Sequence, residues 1–479
     1  MPSFVVFPTH LYEDSLVTRE NWENIYIVEH PLFFYDAKDR PYRTHKLKIA
    51  YLRACMKAYQ DYLVNDRKLS NVQYIEYAQA TQKKFIGHIH CYDPLDTVLE
   101  TRLKKSYSNI TIHTDLPNFV ADTKDVLSYS KRTSYSHKTF YDFMKQKSGI
   151  LKNVKNYDTM NRDRLPASIE IPSILNFGNS YQDEAIKYVN GHPQFKKHVG
   201  TCDRDILSKY PCTFKDAKAN LQHFLKMKLS NFGAYEDAIH TQHVYVFHSN
   251  ISSQLNVGLL TPQQVVDAIL HYKPYVAMNN IEGYIRQVIG WRDYMRFVYK
   301  VVDVSANQWS ATRSLNWDVW YGKKESPIEP LTQEIKKCIE HGYSHHIVRL
   351  MVFLNIMVLC EVNPHDICQW FSECCAMDAY PWVMYSNIYA MGWYDARFMK
   401  KPYLSTSRYL LNMSNYKRGT WCLFWDALFY AFLHQHKNQF VGSSKIYWRN
   451  LTYFEKKDNA ARTDILRTAE SVKKSLTLS

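Results

Sequence analysis

Between Asn279 and Lys300, residues able to bind an anion or stack on an aromatic ring share one predicted helix. Apolar residues recur at steps of three and four and predict a face packed into a core: Ile281, Ile285, Val288, Ile289, Met295 and Val298. The same segment carries Arg286, Gln287 and Arg292 beside Trp291 and Tyr294. Taken alone, it favours a simpler interpretation, a surface helix whose arginines extend along it into solvent.

A second predicted helix places charge in an apolar sequence. His345 and His346 begin the segment YSHHIVRLMVFLNIMVLC, and Arg349 follows one turn after His345. An unpaired buried arginine costs several kcal/mol, so it needs an acidic partner. We predict Asp378, in DAYPWVMYSN, as that partner. A purely structural ion pair is the alternative.

Hydroxyl side chains precede a third predicted helix. Ser249, Ser252 and Ser253 come before an apolar helical run, and Thr261 is expected to cap the next helix before Pro262. Hydroxyls and free backbone N–H groups at helix starts bind phosphate well. Helix capping alone is the alternative, and it is the commoner role of an isolated serine cluster.

The alternation of strands and helices predicts the fold class. β-Branched and aromatic runs alternate with helical stretches: SFVVF, NIYIVE, VQYIEY and NITIHT. We therefore expect an α/β domain with a parallel sheet in residues 1–125, without the G-x-G-x-x-G dinucleotide fingerprint. Residues 126–200 favour a basic linker, and residues 201–479 an all-α domain.

Composition limits the class of protein and of partner. The chain has 479 residues, a formal charge of +14 and 15% aromatic residues. A basic protein favours a polyanionic partner, although basic composition alone is weak support. The aromatics could stack on bases or relay electrons, or simply fill a core.

No apolar run is long enough for a membrane span and no secretory signal is visible, so an intracellular protein is expected. The ten cysteines lack C-x2-C spacing and predict reduced thiols.

Five ordered blocks resemble the prokaryotic branch of the photolyase/cryptochrome family, that of the (6-4) photolyases and related cryptochromes. The blocks are FGAYEDAI, FHSNISSQLNVGLL, EGYIRQVIGWRDYMR, GYSHHIVRLMV and MSNYKRGTWCLFWDALF, and EHPLFF near the start also matches. The resemblance implies a Rossmann-like antenna domain, a helical FAD-binding domain and light-driven repair of UV-damaged DNA. It also implies that the antenna domain can hold a second chromophore, a lumazine in some members.

The resemblance assigns roles to individual residues. FAD contacts would come from Tyr235, His248, Ser249, Ser252, Asn256, Gln287, Arg292, Arg349, Asp378, Met384 and Asp395. Catalysis would involve His346 as the proton donor to a (6-4) photoproduct, with His345, and Trp370 as an electron relay that Trp317 or Trp320 could extend. The DNA lesion would contact Asp158, Arg162, Trp291, Leu350, Met391 and Tyr403.

The chain also departs from the family pattern. Most members of the branch hold a [4Fe–4S] cluster with four cysteines, but only Cys422 is retained here, so no cluster and no metal is predicted. Met384 stands beside the expected position of flavin N5, where some members have glutamate. The loop at Asp395 is shorter than the family's and lacks its Gly-Gly pair.

Three other functions fit the sequence less well. A cryptochrome-like sensor would bind the same flavin without repairing DNA. A photolyase specific for cyclobutane dimers would use the same chemistry on another lesion. A flavin-free DNA-binding scaffold would purify as a colourless protein. We expect a monomer that does not enter membranes.

Overall fold

A computed structural model describes residues 2–132, 135–440 and 444–478. None of the helices in these ranges combines the length and the apolar character needed to span a bilayer.

A five-stranded parallel sheet forms the amino-terminal part. Its strands are β1 (Pro2–Val6), β2 (Asn24–Val28), β3 (Val72–Ile75), β4 (His88–Tyr92) and β5 (Ile110–His113), in the order β3-β2-β1-β4-β5. Every neighbouring pair is parallel, with Phe4 of the central strand opposite Ile25 on one side and His90 on the other. This is the order of a doubly wound α/β sheet and confirms the predicted fold class. The sequence interpretation missed β4.

Helices cover this sheet and continue into the segment predicted as a linker. The helices up to residue 200 are α1 (Leu16–Arg19), α2 (Pro31–Phe34), α3 (Lys46–Asp61), α4 (Tyr77–Ala80), α5 (Thr97–Ser106), α6 (Thr123–Ser130), α7 (His137–Ser148) and α8 (Ser180–Gly191), with a π-helical turn at Tyr62–Asp66 and 3-10 turns at Asp158–Met160 and Pro193–Phe195. Within residues 126–200, α8 packs on α3 of the α/β part, whereas α7 packs on the helical part near Arg286–Arg292. The domain limits at 125 and 200 remain predictions.

The rest of the chain is almost wholly helical. Its helices are α9 (Arg204–Leu207), α10 (Phe214–Met227), α11 (Leu229–Phe232), α12 (Ser252–Val257), α13 (Pro262–His271), α14 (Met278–Ile285), α15 (Asp293–Val301), α16 (Trp317–Trp320), α17 (Glu329–His341), α18 (His346–Val348), α19 (Asn355–Leu359), α20 (Pro364–Cys374), α21 (Pro381–Met391), α22 (Ser407–Met413), α23 (Trp421–Gln435), α24 (Lys437–Phe440), α25 (Lys445–Glu455) and α26 (Asn459–Leu476). Two short strands, β6 (Ser314–Leu315) and β7 (Thr477–Leu478), pair antiparallel.

The helix predicted over Asn279–Lys300 is present but is not regular. It runs as α14, a π-helical segment Arg286–Arg292 and α15, and its apolar face is buried as predicted. The helix that begins at His346 likewise contains a π-helical segment, Arg349–Leu354, before α19. Such segments are uncommon and occur often at functional sites. The predicted cap at Thr261 is confirmed, because its hydroxyl accepts from the Gln264 N–H at 3.2 Å.

One lysine ties the α/β part to the helical part. Lys48, on α3, is 3% exposed, and its ammonium donates to the Ala376 and Ala379 carbonyls, each at 3.0 Å. It also lies 3.5 Å from the centre of the Tyr380 ring. These carbonyls flank Asp378 in the 3-10 turn Ala376–Asp378, so Lys48 fixes this turn from the other half of the protein.

Replacing Lys48 with methionine should lower the free energy of unfolding by about 1–3 kcal/mol, because two buried carbonyls lose their donor. Chemical denaturation followed by circular dichroism measures this. Lys46→Met is the control, since Lys46 is partly exposed on the same helix. Equal destabilisation by the two substitutions would contradict the bridging role of Lys48.

Candidate functional site

A deep cavity opens within the helical part. Its walls come from the end of α11, the loop before α12, and α21. The two helices that contain the π-helical segments Arg286–Arg292 and Arg349–Leu354 complete the walls. Thirteen predicted site residues line it: His248, Ser249, Ser252, Asn256, Gln287, Trp291, Arg292, His346, Arg349, Leu350, Asp378, Met384 and Met391. The chain therefore gathers residues from four distant sequence blocks at one site.

The predicted pairing of Arg349 with Asp378 is confirmed. The guanidinium Nη2 lies 2.6 Å from Asp378 Oδ1, and Asp378 is 8% exposed. Ser252 donates its hydroxyl to Asp378 Oδ2 at 2.6 Å, and Asn256 donates its amide to the Asp378 carbonyl at 3.0 Å. Although burial opposes the charge, Asp378 raises the pKa of Arg349, which stays a cation.

The serine cluster does not cap α12. The residue before this helix, Ile251, provides no side-chain cap, and Ser252 bonds to Asp378 instead. Ser249 accepts a hydrogen bond from the Tyr284 hydroxyl at 2.6 Å. Capping, the simpler interpretation of this cluster, is therefore wrong for Ser249 and Ser252.

Arg292 presents a cation that pairs with no carboxylate in the described chain. Its guanidinium donates to Asn256 Oδ1 at 2.5 Å, to the Asn118 carbonyl at 3.0 Å and to the Leu255 carbonyl at 3.3 Å. It also lies 5.0 Å from the centre of the Trp382 ring. Burial lowers the pKa of Arg292 to about 10, so the group remains charged at neutral pH. A guanidinium with N–H groups left over in a cavity suits a phosphate or another anion.

The two adjacent histidines have different environments. His346 lines the cavity, and its ring centre lies 5.7 Å from that of Trp291 in an edge-to-face arrangement. Although solvent reaches the His346 side chain, the surrounding cavity walls and then Arg349 lower its pKa to about 4, and the ring is neutral at pH 7. His345 is absent from the cavity lining and stacks on His248 at 4.2 Å. His346 is thus the member of the pair that can touch a bound molecule.

Several predicted site residues lie outside the lining. Trp370 is fully buried and contacts Phe371, which does line the cavity, at 5.1 Å, and Trp320 at 5.4 Å. Asp395 pairs with Arg397 at 2.5 Å. Tyr235 packs against Phe247, with ring centres 5.3 Å apart. Trp370 is therefore one ring removed from the cavity, whereas Asp395 and Tyr235 are engaged elsewhere.

The remaining predicted lesion residues form a charged group beside the cavity. Asp158 accepts from Arg162 at 2.9 Å and from Arg286 at 2.6 Å, and Arg286 directly precedes Gln287. Arg162 has φ of 73°, a left-handed conformation uncommon for a residue with a side chain. Tyr403 is 37% exposed. This group connects the 3-10 turn at Asp158 to the cavity helix.

Sequence interpretation missed some lining residues, among them Glu236, Asn250, Tyr284, Phe371, Trp382 and Asn387. Glu236 lies in the block FGAYEDAI, but nothing in its spacing distinguishes it from a solvated acid. Trp382 follows Asp378 by four residues and becomes a cavity wall only through the turn between them.

The cysteines in the described chain are all buried and free. The described residues contain no cluster of three or more His, Cys, Asp or Glu side chains arranged to hold a metal ion. Cys338 and Cys375 approach to 3.1 Å between their sulfur atoms.

Comparison with known proteins agrees with this architecture. A family model described as deoxyribodipyrimidine photo-lyase-related protein matches residues 4–206. A (6-4) photolyase of Agrobacterium fabrum is 31% identical over 313 residues, which is 60% of this chain and 58% of that protein. The chain thus resembles the photolyase/cryptochrome family, and it spans less than two thirds of the (6-4) photolyase that it matches. An uncharacterized protein of Acanthamoeba polyphaga mimivirus is 40% identical over 100 residues, 20% of this chain and 80% of that protein.

Two solved structures, a photolyase and a cryptochrome, share the fold over 99% of the chain. A bacterial class III photolyase from Agrobacterium tumefaciens matches with a TM-score of 0.56 at 13% identity, covering 99% of this chain and 98% of that one. A Synechocystis cryptochrome matches with a TM-score of 0.57 at 14% identity, covering 99% of both chains. At these identities the likeness concerns the fold of the photolyase/cryptochrome family.

Replacing Asp378 with asparagine should lower the free energy of unfolding by about 3 kcal/mol, because Arg349 would keep a largely buried charge without its partner. Thermal or chemical denaturation measures the loss. Asp318→Asn is the control, since Asp318 forms only exposed pairs with Lys323 and Lys324 and should cost less than about 1 kcal/mol. Similar losses in both variants would contradict the buried pair's contribution.

Proposed function

We propose that this chain is a light-dependent DNA repair flavoprotein, a (6-4) photolyase that binds FAD and a flipped-out pyrimidine lesion in the cavity. One observation carries the proposal. The Arg349–Asp378 pair, neutral His346 and Arg292, which pairs with no carboxylate in the described chain, all line the same cavity. The match to a (6-4) photolyase supports the lesion class.

The donor set of the cavity fits FAD. Arg292 would bind its phosphates, with Ser252 and Asn256 completing the polar wall. The Arg349–Asp378 pair offers a cation and an acceptor to a polar ring edge. Apolar side chains supply the remaining wall, including Met384, which is 3% exposed. When bound and reduced, FAD would supply the light-driven electron for repair.

The same cavity would receive the lesion through residues on its other walls. Trp291, Leu350 and Met391 line it and offer apolar contacts to a base. Arg162 and Tyr403 lie beyond the lining and would contact the adjoining DNA backbone and lesion, with Asp158 orienting Arg162. A basic chain with a charge of +14 favours DNA as the partner.

His346 would act as the proton donor in repair. Its pKa of about 4 leaves the ring neutral at pH 7, so it first donates a hydrogen bond through its N–H. A negative charge developing on the lesion beside it would raise that pKa, so that the ring could take up a proton from solvent and pass it to the lesion. The geometry supports His346 over His345, which is stacked behind it on His248.

Blue-light irradiation of the protein with UV-damaged oligonucleotides tests the proposal. The purified protein should show flavin absorption, and (6-4) photoproducts should disappear faster than cyclobutane dimers when the two compete in one assay. A preparation with flavin that repairs neither lesion would reject the enzyme, and preferential loss of cyclobutane dimers would reject the lesion assignment.

His346→Asn should reduce the repair rate about 10²- to 10⁴-fold, the range that one general acid contributes, while flavin absorption is kept. The measurement is photoproduct loss per absorbed photon. His365→Asn is the matched control, because His365 is 70% exposed in its side chain and absent from the cavity lining. Unchanged repair in the His346 variant would contradict its role.

A cryptochrome-like sensor is the second candidate, favoured by the buried aromatic series that leads away from the cavity. Phe371 lines the cavity, Trp370 contacts it, and Trp320 lies 5.4 Å from Trp370. Such closely spaced rings could carry an electron to a light-excited flavin.

Trp370→Phe should slow photoreduction of oxidised flavin several-fold, since phenylalanine is harder to oxidise. Absorption spectroscopy under blue light with an external reductant follows the reaction. Trp448→Phe is the control, since Trp448 is 50% exposed on α25. Equal photoreduction in all three proteins would remove Trp370 from the path.

Other expectations remain predictions. They are a lumazine-type antenna chromophore in the α/β part, the lack of an iron–sulfur cluster, a monomeric state and an intracellular location. The cluster prediction rests on Cys422 being the single retained ligand position.

A further inference from the structure

At the cavity wall, one carboxyl oxygen of Glu236 accepts a hydrogen bond and the other has no hydrogen-bond partner in the described chain. Its Oε1 accepts a hydrogen bond from the Gln287 amide nitrogen at 2.6 Å. Its Oε2 is buried, and no group in the described chain hydrogen-bonds to it. Both Glu236 and Gln287 line the cavity. The pair therefore lies where a bound molecule can touch the amide.

Charged groups of both signs surround this carboxyl. Arg286 lies 3.8 Å from Oε2, and Arg162 faces the same group from the segment after Asp158. Asp158 and Asp237 add negative charge, and a His248 ring nitrogen lies 3.0 Å from the Glu236 backbone carbonyl. Burial outweighs the two arginines and raises the pKa of Glu236 to about 7. Both protonation states are therefore populated near neutral pH.

The protonation state decides which end of the Gln287 amide faces Glu236. An ionised carboxylate only accepts hydrogen bonds, so the amide must turn its NH2 group toward it. The amide oxygen then faces the cavity, and no group in the described chain donates to it. A protonated carboxyl can donate, which favours the reversed amide with its NH2 group toward the cavity.

We propose that Glu236 is a positioning residue that orients the Gln287 amide, so that ionised Glu236 makes Gln287 an acceptor for the imide N–H of the damaged pyrimidine. This inference rests on the proposed function and adds a determinant of lesion recognition to it. The family resemblance assigned Gln287 to FAD, but its partner Glu236 faces Arg162 and Arg286, the group that would hold the DNA, so we assign the amide to the lesion. Uracil-type rings carry one imide N–H between two carbonyl groups. An acceptor on Gln287 would therefore bind the N–H, whereas a donor on Gln287 would bind a carbonyl. Protonation of Glu236 would weaken lesion binding, because the NH2 group would then oppose the imide N–H.

Infrared titration tests the orientation without requiring DNA or light. In the purified protein, protonated carboxyl absorption should disappear near pH 7 from Glu236 and also from buried Asp293, whose pKa is raised to about 7, and Glu236→Gln should remove only the Glu236 part. Gln287→Leu should raise the midpoint by about one pH unit, because the carboxylate loses a hydrogen-bond donor. Asp237→Asn is the control and should keep the transition, because Asp237 bonds to Tyr409 and not to Glu236; losing its negative charge should only move the midpoint to lower pH. A midpoint that Gln287→Leu leaves unchanged would overturn the proposal.

Binding in the dark tests the consequence for recognition. Affinity of the native protein for an oligonucleotide with a (6-4) photoproduct should fall up to about tenfold per pH unit below the Glu236 midpoint. Glu236→Gln should flatten this profile, whereas Asp237→Asn should retain it. A profile unchanged in Glu236→Gln would contradict the proposal even if repair occurs. Absence of repair in light, with the infrared coupling intact, would instead count against the proposed function alone.

Discussion

The buried ion pair between Arg349 and Asp378 is the interaction on which the site depends. Two charges in a largely closed interior are tolerated only when each has partners, and here Ser252, Asn256 and the Ser344 carbonyl supply them. These partners come from separate segments, α12 and the loop after α17, so satisfying the pair draws those segments together. The ion pair and its partners Ser252 and Asn256 then form one wall of the cavity.

The α/β part takes part in this arrangement through Lys48. Its ammonium bonds to the carbonyls on either side of Asp378, so the turn that carries the acid is held from α3 as well as from the helical part. Arg53, further along α3, pairs with Glu29 in the sheet region and with Glu184 on α8. The first part of the chain therefore contributes to the geometry of a site whose lining lies wholly in the second.

Sequence analysis predicted the features that local pattern or charge balance determines. The parallel sheet, the buried face of the Asn279–Lys300 helix and the pairing of Arg349 with Asp378 were all predicted and are confirmed. Strand β4 was missed because His88 and His90 interrupt its apolar pattern. Glu236 was missed because its burial depends on tertiary packing, and a single acid near a helix end carries no such signal. Likewise, only the packed structure shows Trp370 one ring away from the cavity.

The π-helical segments Arg286–Arg292 and Arg349–Leu354 affect how this chain can be aligned with relatives. Each such segment accommodates an extra residue compared with a straight α-helix. An ungapped alignment to a relative with a regular helix would shift every assignment on one side of the segment by one position, which is about 100° around the helix axis. Residue roles near Gln287 and Leu350 are therefore best transferred by superposition of coordinates, with a single-residue gap placed inside the segment.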